Sequence, residues 1–197
     1  MARSPGAGFT HLRVASGFSA RYGASHPERL AERAAERGMA ALALTDRDTL
    51  AGAVRFTRAC AAAGVRPLYG VELAVASPRA TASGGGTAAP RRRTPVRGGA
   101  FVDESAPRVT FLARDGAAGW AELCRLVTAA HAGRADRPEL PWDQAGGEGV
   151  TVLLGPDSEP GRALAAGRPD LAARLLAPWR EVYGDALRLE VSASGPL

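Results

Sequence analysis

Short apolar runs alternate along this chain with amphipathic stretches of helical period, and that alternation constrains the fold more than any other feature. It is the pattern of consecutive βα units, in which helices pack against a largely parallel sheet. Phe9 to Val14 reads as a first strand. Ser25-His-Pro-Glu28 has the form of a capping box, with Ser25 as N-cap and Glu28 reaching back. The helix it opens should run to Arg37, stop at Gly38 and turn Leu30, Ala34 and Ala35 inward. Ala41 to Thr45 is a short buried strand ending in Asp46, followed by a helix from about Thr49 to Ala63 that closes at Gly64. Arg66 to Ala76 gives a third strand, in which Val71, Leu73 and Val75 alternate with their neighbours. Arg108 to Ala113, Val150 to Leu154 and Leu187 to Val191 read as further strands. Trp120 to Ala132, Glu159 to Ala166 and Pro169 to Trp179 read as helices, and Gly133 to Gly149 as loop.

With 197 residues, 46% of them hydrophobic, the chain can bury the core of one domain. Residues 77–106 stand apart: a glycine run at Gly84 to Gly86, an arginine run at Arg91 to Arg93 and several prolines point to a flexible or hairpin-like insertion. No apolar run of about 18 residues exists to span a bilayer, and Met1 to Gly8 lacks the apolar stretch of a secretory signal. A cytoplasmic location is expected. Cys60 and Cys124 lack zinc-ligand spacing and read as reduced packing residues. The net charge of +5 invites a nucleic-acid partner, but Lys, Ile and Asn are absent, so much of the Arg content reflects a G/C-rich genome. Arg91, Arg92, Arg93 and Arg97 could contact DNA phosphates by releasing counterions, or could form a solvated linker.

In parallel α/β folds the chemistry gathers at the C-terminal ends of the strands. Here those ends are Arg13 to Ser16, Thr45 to Arg47, Gly70 to Glu72 and the vicinity of Glu190 to Ser194. Phe9-Thr-His-Leu-Arg-Val-Ala-Ser16, Arg21-Tyr-Gly-Ala-Ser25, Ala43-Leu-Thr-Asp-Arg-Asp-Thr-Leu-Ala-Gly52 and Gly70-Val-Glu72 follow one another in order. Together they resemble the polymerase and histidinol phosphatase (PHP) domain that opens the bacterial C-family DNA polymerase III alpha subunits. The likeness continues through Val109 to Asp115 and Trp120 to Leu126. It implies a distorted (βα)7 barrel, incomplete at the C-terminus here, whose strand ends gather His, Asp and Glu around metal ions that hydrolyse phosphoesters.

Against that pattern the family's first His-x-His is Arg13 and Ala15, an acidic position is Tyr22, and the Thr-Asp-His segment reads Thr45-Asp46-Arg47. A further His position is Arg108, the strand expected to end near another His reads through to Ser194, and the final Asp-x-His motif lies beyond the chain's end. Arginine has a fixed positive charge and no free lone pair, so Arg13 and Arg47 would repel a metal. The expectation is therefore no metal and no cofactor for this chain, with Asp46 and Glu72 salt-bridged to arginines in the ions' place. Three function readings stay open: a non-catalytic module of a polymerase alpha subunit, of the replicative or error-prone kind; an active metal-dependent phosphoesterase using Asp46 and Glu72; or a truncated gene product. The first implies the rest of the polymerase chain, DNA and another replication or repair subunit as partners, and Mg2+ only for the parent's polymerase centre. An incomplete barrel would expose a sheet edge and make the isolated chain marginally stable. His11, His26 and His131 sit at no ligand spacing and read as structural or surface residues. Gly155 to Gly161 lacks the Walker spacing and reads as a strand-to-helix turn, and no G-x-S-x-G elbow supports a serine hydrolase.

Overall fold

The structure, a computed structural model, describes residues 9–78, 93–95, 101–103, 106–133 and 138–191. Five strands form the main sheet: β1 (Ala41–Arg47), β2 (Arg66–Ala74), β5 (Arg108–Ala113), β6 (Val150–Leu154) and β7 (Leu187–Leu189), in the order β1-β2-β5-β6-β7. Two more, β3 (Arg93–Pro95) and β4 (Phe101–Asp103), pair antiparallel within the 77–106 insertion, so its described residues take the hairpin form. Among the described residues the helices are α1 (Pro27–Glu36), α2 (Ala53–Ala63), α3 (Gly116–His131), α4 (Glu159–Ala165) and α5 (Pro169–Tyr183).

The sheet is mixed and open, where the sequence pattern suggested a largely parallel sheet and the resemblance implied a barrel. β1–β2 and β6–β7 are parallel, but β5 runs antiparallel to both β2 and β6. The cause lies in the connections. After α3 the chain does not enter β6 directly; it bridges Val75 to Leu140 and then travels back until the Arg114 N–H donates to Gly149 O at 2.8 Å. That second traverse starts β6 beside the end of β5, so the two strands must oppose each other. As a result the beginning of β5 lies at the same rim as the ends of β1, β2, β6 and β7.

Period-2 alternation then divides the side chains between two faces. Leu42, Leu44, Val71, Leu73, Phe111 and Val152 meet the helices, packing with Ala31, Ala34, Phe56 and Cys60 on one side and with Leu123, Leu126, Trp179 and Tyr183 on the other. Each fully buried Leu or Phe here contributes about 2 kcal/mol. The opposite face carries Ala43, Leu68, Leu112 and Leu153 and lines an open cleft of about 760 Å³.

Two terminal elements depart from their sequence pattern. Residues 9–14 run beside β1 without forming a strand: Ala43 N–H donates to His11 O and Thr45 N–H to Val14 O. Three residues of this segment therefore match two of β1, and Thr45 Oγ1 takes the Val14 N–H at 2.9 Å, so no ladder continues. Helix α1 is capped at His26 with no side-chain hydrogen bond, and the capping box does not form. Glu28 turns instead to Arg55 on α2, 2.7 Å away, whose guanidinium holds the Glu28 carboxyl below its ordinary range. The buried face of α1 is Pro27, Ala31 and Ala34, while Ala35 is exposed.

Candidate functional site

The rim shared by those strand ends carries a charged cluster built around Glu72, whose side chain is 8% exposed. Register sets it up. Arg47 on β1 is opposite Glu72 on β2, and Arg108 opens β5 one pleat along, opposite Ala74. Glu72 Oε1 accepts from Arg108 Nε at 2.8 Å and is ion-paired with Arg47 Nε at 2.7 Å, while Arg13 Nε stands 3.8 Å from Oε2. Arg108 also donates to Glu72 O at 3.0 Å and to the Asp48 carboxylate at 2.8 Å. Arg13 reaches Asp157, in the turn between β6 and α4, at 3.4 Å, and Glu190, just after β7, at 3.3 Å. The Tyr22 ring lies 3.5 Å from the Arg47 guanidinium carbon, a cation–π contact on the outer side. A carboxylate this buried would cost several kcal/mol if unpaired, and a charge-assisted hydrogen bond from Arg108 together with the close Arg47 ion pair offsets that.

Asp46 does not join this cluster, although the sequence placed it there with Glu72. Successive strand residues point to opposite faces, so Asp46 lies with Val71 on the helix side while Arg47 lies with Glu72 on the cleft side. Asp46 is 1% exposed and accepts from Ser16 N–H at 2.6 Å, Ser16 Oγ at 2.8 Å and Ser19 Oγ at 2.6 Å. It fastens the loop after the first segment to the end of β1. Two motif glycines serve the same contacts. A Cβ on Gly23 would lie 2.0 Å from Ser16 O, and one on Gly70 would lie 2.5 Å from Phe111 O and 2.9 Å from the Thr45 methyl.

Sequence reasoning missed Asp48, Asp157, Ser16, Ser19 and the bond made by His131. Asp48 has a left-handed backbone (φ 59°), and each of its polar groups is held: N–H donates to Glu72 O, the carbonyl accepts from His131 Nε2 at 2.7 Å, and the carboxylate binds Arg108. The only sequence signal was the Asp-Arg-Asp run itself, where an Asp tolerates the left-handed region better than most residues. His131, read as a structural or surface residue, is the strap on this loop. His11 and His26 are exposed. Ala15 is half-buried; Ser194, Arg91, Arg92 and Arg97 lie outside the described residues, and Arg93 is placed only as backbone in β3.

The donor set does not fit a metal cluster. Both short contacts to Glu72 Oε1 come from guanidinium groups, which carry positive charge and no lone pair, and Asp46 spends its oxygens on three hydrogen bonds. Among the described residues, no group of three or more His, Cys, Asp or Glu side chains is placed to hold an ion. Also among the described residues, no helix is long and apolar enough to cross a membrane.

Comparison with known proteins fits this geometry into a family. Residues 11–194 match the family model for the PHP domain. An error-prone DNA polymerase of Mycolicibacterium paratuberculosis is 36% identical over 194 residues, covering 95% of this chain and 16% of the relative. A DNA polymerase III subunit alpha of Caulobacter vibrioides is 32% identical over 200 residues, covering 99% of this chain and again 16% of the relative. The chain thus spans 16% of the length of these two curated relatives. Among solved structures, a chain from Bifidobacterium adolescentis, described as a candidate metal-dependent phosphoesterase, is 21% identical at a TM-score of 0.40, covering 98% of this chain and 58% of that one. The order of the strand-end motifs agrees with a family match that spans nearly the whole chain: this chain belongs to the PHP domain family.

Proposed function

We propose that this chain is a non-catalytic PHP module of a DNA polymerase alpha subunit, of the error-prone kind, and that its role is to support the polymerase rather than to cleave phosphoesters. The observation that carries this reading is the double guanidinium contact on Glu72, at the rim where a hydrolytic member of the family would gather metal ligands. Water activation there would need a cation with open coordination positions, and a guanidinium offers none. The partners in this reading are the rest of the polymerase chain, DNA and a replication or repair subunit, in the cytoplasm. Arg91, Arg92, Arg93 and Arg97 are the candidate phosphate contacts, and a salt-insensitive interaction with DNA would count against them. Magnesium-dependent nucleotidyl transfer belongs to residues outside this chain. The five-stranded sheet forms part of a distorted (βα)7 barrel in the assembled protein.

The test is an assay of the purified chain with p-nitrophenyl phosphate and with a single-stranded oligonucleotide, each with and without Mn2+. No hydrolysis above the buffer rate is expected in any condition. Manganese-stimulated hydrolysis that disappears on Glu72→Gln would replace this reading with the phosphoesterase one.

A further inference from the structure

The open sheet brings its two outer margins to the same cleft. Phe9 to Arg13 line one wall and Arg188 to Val191 the other. Much of what these margins present is apolar and unburied, with Phe9 70% and Val191 92% exposed. Arg13 bridges them at the rim. Its three guanidinium nitrogens address three carboxylates on three segments: Nε faces Glu72 at 3.8 Å, NH2 faces Asp157 at 3.4 Å and NH1 faces Glu190 at 3.3 Å. A planar fork can divide itself this way, whereas a lysine ammonium is a point charge. On the far side, the stretch after β7 is held to β6 by the Glu190 N–H donating to Leu154 O at 2.9 Å.

We propose that Arg13 is a conformational clasp that sets the width of this cleft, tying the stretch after β7 to the first segment. Its pairs differ in kind from the Arg47–Glu72 pair. Arg13 and Asp157 are 32% and 45% exposed, so their attraction is weak and screened by salt, and the clasp can open while the Glu72 core stays intact. Opening frees β7, which is three residues long and has strand contacts on β6 alone among the described residues.

Residue-resolved hydrogen exchange on the full chain tests this. Arg13→Ala should speed exchange of the Glu190 amide about fivefold, the loss expected from weak partly exposed pairs, and leave the Val71 and Phe111 amides unchanged. Raising NaCl should move the wild-type Glu190 rate toward the variant's and leave the variant's rate alone. Asp157→Asn and Glu190→Gln should each give a smaller, local increase, which keeps the test valid if Arg13→Ala folds poorly. An unchanged Glu190 rate in all three variants, or an equal acceleration at Glu190, Val71 and Phe111, would overturn the clasp.

Discussion

Glu72 shows at the scale of one residue how a charge buried beside two arginines governs what the rim can do. Removing its charge leaves Arg47 and Arg108 facing each other beside an uncharged oxygen, so Glu72→Gln should destabilise the chain by about 3 kcal/mol. Urea unfolding midpoints would measure this, and a loss below about 1 kcal/mol would show that the pairs contribute little. The identity of these residues was legible in the sequence, because arginines stood where a resemblance implied ligands. Their geometry was not, because neighbours on a strand look alike in sequence until parity sends Asp46 and Arg47 to opposite faces. A second residue-scale outcome concerns thiols. Burial pushes the Cys60 thiol up to about 11, while Cys124 is only partly buried. At pH 8 an alkylating reagent should modify Cys124 at least tenfold faster than Cys60, as mass spectrometry of digests would show, since the thiolate is the reacting form.

Among elements, α3 has a clear cap: Asp115 accepts from Gly119 N–H at 3.1 Å. Asp115→Ala should therefore cost about 1 kcal/mol, read as a lowered thermal midpoint with no change in fold. The apolar periods located β1, β2, β5, β6 and the five described helices, since burial on one face writes itself into spacing. They missed what depends on a distant partner. The capping box at Ser25 to Glu28 is sound local chemistry, yet Arg55 outcompetes the helix for Glu28. The first segment has strand composition, yet its three-to-two match with β1 breaks the ladder. The direction of β5 lay equally out of reach, because it follows from the return path of residues 138–149 rather than from any pattern within the strand itself.

For the whole molecule, the antiparallel insertion of β5 has a functional consequence. It brings Arg108 from the beginning of a strand to the rim formed by the ends of others, completing an inner group of guanidinium contacts that cross-links β1, β2 and β5. In the function proposed here, cross-linking of this kind takes the place of bound ions, which would draw the same carboxylates together at the expense of solvation. Folding should then be indifferent to chelators, in contrast to small domains whose stability is metal-binding energy. The most direct test is elemental analysis by mass spectrometry of the chain purified without chelator, paired with its thermal midpoint in EDTA and in Mn2+. The account predicts far less than one zinc, manganese or iron per chain and the same midpoint in both buffers. One or more tightly held metal ions per chain, with a midpoint that falls in EDTA, would contradict it.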